Sequence, residues 1–195
     1  MTATNALPRP RVLADVVPGG LVRDAVLVAG GTGFIALSAT VFIPLGFTPV
    51  PISLQTFSVL LTGAALGMRR GGLSALLYLL IGMSGVGWFA EGNSGWAFAS
   101  FGYLVGMVLA AALVGWLAGR GGDRTVARTA GTMVLGNLVI YAVGVSWLMG
   151  FLDVGLAKAL SLGLTPFLLG DALKIAVAAG LLPAAWALVR RVEKD

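Results

Sequence analysis

The sequence predicts an all-α fold: a polytopic membrane bundle of six transmembrane helices with its N- and C-termini in the cytoplasm. The first observation is composition. Of 195 residues, 58% are hydrophobic and 11% charged, with mean hydropathy +0.96. Soluble domains carry about 25% charged residues, so this chain lacks the polar surface to cover a water-soluble globule. The second is spacing: no Asp, Glu, Lys or Arg occurs over residues 25–68, 71–90, 92–119 or 129–152, and one crossing needs about 20 apolar residues. The third is the side on which cations fall. Arg9, Arg11, Arg23, Arg69, Arg70, Arg120, Arg124, Arg128, Arg190, Arg191 and Lys194 share one side, and the opposite loops hold only Lys158. Cytoplasmic loops carry the excess of Lys and Arg.

In chain order, residues 1–23 read as a polar cytoplasmic tail, mostly disordered, with Pro8, Pro10 and Pro18. The apolar stretch after it is too long for a cleaved signal peptide. Helices are expected at about 24–43, 52–68, 71–87, 101–118, 129–149 and 166–189. Residues 25–68 suffice for two crossings, and Pro44, Pro49 and Pro51 mark the turn, because proline lacks the amide donor and drives its predecessor out of the helical region. Arg69-Arg70-Gly71-Gly72 forms the next connection, and 88–100 and 119–128 are loops. The segment 150–165 has room for a short interfacial helix near 152–161. One membrane domain, 24–190, therefore lies between the tail and a cytoplasmic end at 191–195.

Several chemistries are excluded. There is no Cys for thiol or disulfide chemistry, and no His to serve as metal ligand or general base. No acidic cluster provides a metal site, so neither catalytic residues nor cofactors are expected. Gly31-Thr32-Gly33-Phe34-Ile35-Ala36 loosely fits a dinucleotide fingerprint but lies in an apolar helix without the strand that the motif requires. No phosphate-binding G-x-x-x-x-G-K-[ST] loop is present, so the chain cannot itself drive ATP-powered transport. The net charge of +5 follows from topology rather than nucleic-acid binding.

Four features remain. Asp171 and Lys174 in Gly170-Asp171-Ala172-Leu173-Lys174 are three residues apart, hence on one helix face. A charge at the bilayer centre costs about 2.5–3.5 kcal/mol, and intramembrane ionisable residues are functional by default; the plain alternative is an ion pair that locks the helix. In Pro49-Val50-Pro51-Ile52-Ser53-Leu54-Gln55-Thr56, two prolines stiffen an external turn. Ser53 and Thr56 fit capping roles there, whereas a buried Gln55 needs partners. The loop from Trp88 and Phe89 through Asn93 to Trp96 pairs aromatics with an amide, as a ligand cover or as an interfacial aromatic belt. Tyr103 and Tyr141 are placed either to reach the same outer cavity or simply to anchor helices there. Ala25, Ala29 and Gly33 form a small-residue stripe on the first helix, and Gly63/Gly67, Gly102/Gly106 and Gly115/Gly119 are GxxxG pairs. These suit packing within the bundle or docking of another membrane subunit.

Pro49-Val50-Pro51-Ile52-Ser53-Leu54-Gln55-Thr56, Arg69-Arg70-Gly71, Phe101-Gly102-Tyr103-Leu104 and Phe167 through Lys174 resemble the BioY family, the biotin-capturing substrate subunits of energy-coupling-factor (ECF) transporters. The resemblance spans about 25–190. It implies a six-helix bundle in a bacterial cytoplasmic membrane, an outward-facing biotin pocket, and partnership with a transmembrane coupling protein and ABC-type ATPases. By position it assigns Asp171, Lys174 and Asn93 as polar ligand contacts; Gln55, Tyr103, Trp88 and Phe89 are the further candidates for the substrate site from the residues themselves. It also implies that Ala25, Ala29 and Gly33 dock the coupling protein. Gly87 and Phe98-Ala99-Ser100 depart from the family's usual turns on either side of Asn93. Asp171 would accept from the ureido N–H groups of biotin, with Lys174 or Asn93 donating to the ureido carbonyl, or Lys174 neutralising the valerate carboxylate. A subunit for another vitamin and a ligand-free structural membrane protein are the competing readings.

Overall fold

The computed structural model describes residues 12–192; the outer parts of both expected tails, 1–11 and 193–195, lie outside them. The helices are α1 (Leu21–Ala39), α2 (Gln55–Met83), α3 (Phe101–Ala118), α4 (Val126–Leu152), α5 (Leu156–Gly163) and α6 (Leu168–Val192). A two-residue antiparallel ribbon joins β1 (Phe42–Ile43) to β2 (Ile52–Ser53), and single 3-10 turns occupy Leu13–Val16, Ala90–Gly92 and Thr165–Phe167. Five stretches among the described residues are long and apolar enough to cross a membrane.

One of the five folds back on itself. Within α2, Gly67 has φ 85° and ψ 174°, a left-handed conformation that breaks the helix. The amide of Gln55 donates to the Tyr78 hydroxyl at 2.6 Å, although residues 23 apart in a straight helix would be separated by about 34 Å. The arms 55–66 and 68–83 are therefore antiparallel neighbours. A Cβ on Gly71 would sit 2.7 Å from Gly63 Cα, and one on Gly115 would sit 2.4 Å from the Gly67 carbonyl carbon. Close backbone approach is what those glycines provide: the arms touch each other and press on α3. The break falls at Gly67 rather than at the expected Arg69–Arg70, because the turn needs a positive φ more than it needs charge.

The other departures have local causes. The first helix ends at Ala39 rather than 43: Pro44 holds Ile43 extended, and the ribbon pairs Phe42 with Ser53 and Ile43 with Ile52. The fourth begins at Val126 rather than 129, because the Thr125 hydroxyl caps it by accepting from the Arg128 amide at 3.3 Å. The short helix runs 156–163, beyond its expected place, since Asp153 in the left-handed region ends α4. The described part of the supposed tail includes a regular turn, Leu13–Val16. Val12 and Ala14 are buried, the Asp15 carboxylate accepts from the Val12 amide, and Arg70 pairs with Asp15 at 2.7 Å.

α3 is the central element. Ala110, Ala111, Val114 and Ala118 have no exposed surface, and α2 and α4 pack on its two sides. α1 lies at the edge against α2, where Thr32 donates to the Ser74 carbonyl and Ser74 to that of Val28. The helix starts that carry Gln55, Tyr103 and Asp171 meet at one end of the bundle. The Gly67 turn, Arg120, Arg124 and Arg190 gather at the other.

Candidate functional site

The non-arginine end encloses a pocket. Its polar side is built by α6, α4 and the ribbon-to-α2 junction, its apolar side by α3, α4 and the aromatic loop after α2. Asp171 and Lys174 enter from the first turns of α6, where their three-residue spacing brings Nζ within 3.1 Å of Asp171 Oδ1. Asp171 is 5% exposed. Its second oxygen accepts from the Tyr141 hydroxyl, so two side chains from two helices hold one carboxylate.

Lys174 is fully engaged. Its ammonium donates to the Ser53 carbonyl and to Thr56 Oγ1, each at 2.9 Å, and to Asp171. An ammonium has three donors, and these are all three. The proline-rich turn makes this possible: pairing of Ser53 with Phe42 leaves the Ser53 carbonyl facing α6, and Thr56 follows one residue into α2. A carboxylate has about four acceptor positions. Asp171 uses two and retains capacity for donors of a bound molecule.

Gln55 also lines the pocket, 3% exposed, but its amide is committed to Tyr78, and its oxygen accepts from Ser53 Oγ at 3.3 Å. Tyr103 lines the wall while its hydroxyl donates to the Gly163 carbonyl at 2.8 Å. Phe89 is buried and forms part of the roof with Phe98. Leu104, Met107, Ile140 and Phe167 complete an apolar wall. One rim is thus strongly polar and the rest is greasy, as small-molecule sites are.

Trp88 and Asn93 are not brought to the lining. Trp88 stacks on Tyr78 with ring centres 5.1 Å apart, and its indole donates to the Tyr78 carbonyl. Asn93 turns its amide onto the Ala90 carbonyl at 3.0 Å and braces the loop from within. Tyr141, Ser53 and Thr56 join the polar rim through their bonds to Asp171 and Lys174. Tyr141 is one hydroxyl in a long apolar helix, and nothing local marks it as facing Asp171. The small-residue stripe lies away from the pocket: Ala25 and Ala29 are exposed, and no atom lies within 4 Å of a Cβ built on Gly33. Among the described residues no group of His, Cys, Asp and Glu is arranged to hold a metal.

Comparison with known proteins bears on this geometry. A family model described as the BioY family matches residues 5–191. The biotin transporter BioY of Rhizobium etli is 38% identical over 168 residues, covering 80% of this chain and 89% of its own. The probable biotin transporter BioY of Pyrococcus horikoshii is 36% identical over 159 residues, covering 80% and 91%. A 2.1 Å crystal structure described as the S-component for biotin from an ECF-type ABC transporter superposes with TM-score 0.73 at 26% identity, covering 89% of this chain and 92% of that one.

Proposed function

This chain belongs to the BioY family, and from that premise we propose that it captures biotin for uptake as the substrate-binding subunit of an ECF-type transporter. The family is one of transport subunits rather than enzymes. The observation that carries the reading is the buried carboxylate of Asp171 at the polar rim of an otherwise apolar pocket. Biotin has matching parts, a ureido ring with N–H donors and an apolar bicycle and chain. Asp171 accepts from the ureido N–H groups with the acceptor positions that Tyr141 and Lys174 leave free. Phe89, Phe98, Met107 and Phe167 cover the apolar portion. Hydrogen bonds to a charged group contribute about 1.5–3 kcal/mol each.

Two roles fit Lys174. It exchanges one of its three protein acceptors for the carbonyl or carboxylate of biotin, or it stays bound and holds Asp171 in place. The second is favoured by the full set of acceptors around its ammonium. The interior space is about 50 Å³, so the roof of Phe89 and Phe98 moves outward as the ligand enters. Gln55 and Tyr103 shape the pocket, and Trp88 and Asn93 act by supporting its roof.

We read six crossings, both termini in the cytoplasm and a pocket opening to the outside of the cytoplasmic membrane. Support comes from the fold-back at Gly67, which splits one long apolar stretch into two arms, and from the grouping of arginines at the end opposite the pocket. ATP hydrolysis belongs to partners. A transmembrane coupling protein docks along Ala25, Ala29 and Gly33, and ABC-type ATPases act beneath it. Uptake into membrane vesicles tests this dependence: biotin accumulation is expected only when the coupling proteins are supplied, and strong energised uptake by the isolated chain would refute it.

A further inference from the structure

A second concavity lies at the arginine end, bounded by the Leu13–Val16 turn, the first two turns of α1, the Gly67 turn and the last turn of α3. It is far roomier than the polar pocket, about 750 Å³ against about 50 Å³. Three arginines line it, Arg69, Arg70 and Arg120, against two aspartates, Asp15 and Asp24. Both aspartates are already engaged: Asp15 pairs with Arg70 at 2.7 Å, and Asp24 with Arg23 at 2.7 Å and Arg70 at 3.4 Å. The groove therefore keeps a positive excess. Arg70 Nη1 is buried and meets no acceptor among the described residues, a costly state for a charged donor unless something accepts from it. Arg120 lies flat over Trp116, 3.7 Å from the ring centre, and Arg69 is exposed.

The same groove is apolar along its open side, where Leu21, Met68 and Leu73 are 87%, 52% and 52% exposed. An occupant must bring anionic oxygens and hydrocarbon together. We propose that this groove binds the headgroup of an anionic phospholipid, the phosphate accepting from the exposed Arg69 and Arg120 beside the charge of Arg70 while the acyl chains run along Leu21, Met68 and Leu73. Guanidinium groups match phosphate oxygens in geometry and charge. Basic pockets between membrane helices at the cytoplasmic face take such headgroups, and Trp116 suits the interfacial level. Inorganic phosphate would leave the apolar wall uncovered. The assignment rests on the membrane reading of the fold and is independent of biotin capture.

The test is native mass spectrometry of the full chain released from nanodiscs of equal parts phosphatidylglycerol and phosphatidylcholine. The intact chain is expected to retain phosphatidylglycerol preferentially, and R69A/R120A to retain about tenfold less. R190A/R191A removes the same charge elsewhere at that end and is expected to behave as wild type. R69K/R120K is expected to recover most of the retention. Equal loss in both alanine pairs would reduce the effect to diffuse charge and overturn the proposal, as would equal retention of the two lipids by wild type. If R69A/R120A keeps its lipid but no longer assembles with the coupling proteins, the groove is a protein contact and the lipid site is wrong. Biotin titration of each sample separates the two readings: R69A/R120A is expected to bind biotin normally while losing lipid.

Discussion

Lys174 has three donors and three protein acceptors, and Asp171 has two protein donors and lone pairs to spare. On the proposed reading this inequality divides the labour between them, the carboxylate for the ligand and the ammonium to hold the carboxylate. Thr56→Val removes one acceptor from the ammonium without changing side-chain bulk. A lost hydrogen bond of about 0.5–1.5 kcal/mol corresponds to roughly 2- to 12-fold weaker biotin binding; unchanged affinity by titration would disconnect the tether from the site. A second carboxylate shows how position governs chemistry. Asp123, fully buried in the loop between α3 and α4, accepts from the Trp186 indole at 2.6 Å and pairs with Arg124 at 3.2 Å. Burial pushes its pKa above the ordinary carboxylate value, against the opposing pull of Trp186 and Arg124. The folded chain then keeps a proton on Asp123 over a pH interval in which the unfolded chain has released it. That contribution to stability falls as pH rises from the ordinary Asp value through the raised one. Asp123→Asn is expected to lack this slope in thermal unfolding in detergent over that interval, and identical slopes would contradict it. Asp171 and Lys174 were legible in the sequence because two charges in an apolar span are conspicuous. Asp123 was not, since a loop acid beside glycines reads as solvated, and Tyr141 was placed near the outer cavity without its partner, since a lone tyrosine in a span carries no mark of which side chain it meets.

The helices followed from hydropathy, but their ends followed from single residues. Central boundaries such as 101–118 match the expected ones because flanking polar loops limit the apolar run, whereas α1 stops early for a ribbon that two-residue strands cannot announce. The Gly67 turn is the clearest case. Arginines marked the region, yet the reversal depends on one glycine with φ 85° in contact distance of Val12. Gly67→Ala introduces a Cβ into a left-handed conformation 3.3 Å from the Val12 side chain, at a cost of about 1–2 kcal/mol. A lowered unfolding temperature in detergent is expected, and a neutral result would mean that the turn tolerates side chains. The outer face of α1 behaves oppositely. Ala29 is exposed and a Cβ on Gly33 meets no atom within 4 Å, so Ala29→Leu and Gly33→Leu should leave biotin binding and unfolding at wild-type level. Uptake with the coupling proteins present should fall several-fold; full uptake would remove α1 as the docking face.

Over the whole molecule, two ends with different chemistry are joined by helices that run between them. α6 carries Asp171 and Lys174 near its start and Trp186 and Arg190 near its finish, with Pro183 between them, so one continuous element connects the pocket to the arginine end where partners would act. The absence of native cysteine makes the orientation simple to test: single cysteines at Ser94 and Arg120 should be labelled from opposite sides of sealed vesicles, and labelling from the same side would break the six-crossing topology. What neither composition nor periodicity revealed is the convergence itself, because the contacts of Lys174 with Ser53 and Thr56 join residues 121 and 118 positions apart, and Tyr141 reaches Asp171 across 30. The measurement that bears most directly on biotin capture is calorimetric titration of the detergent-purified chain, wild type against Asp171→Asn. The account predicts tight one-to-one binding of biotin by wild type and a loss of at least about 10-fold in the variant, the equivalent of one charge-assisted hydrogen bond. Equal affinity in a folded Asp171→Asn chain, or no binding of biotin by wild type, would contradict it.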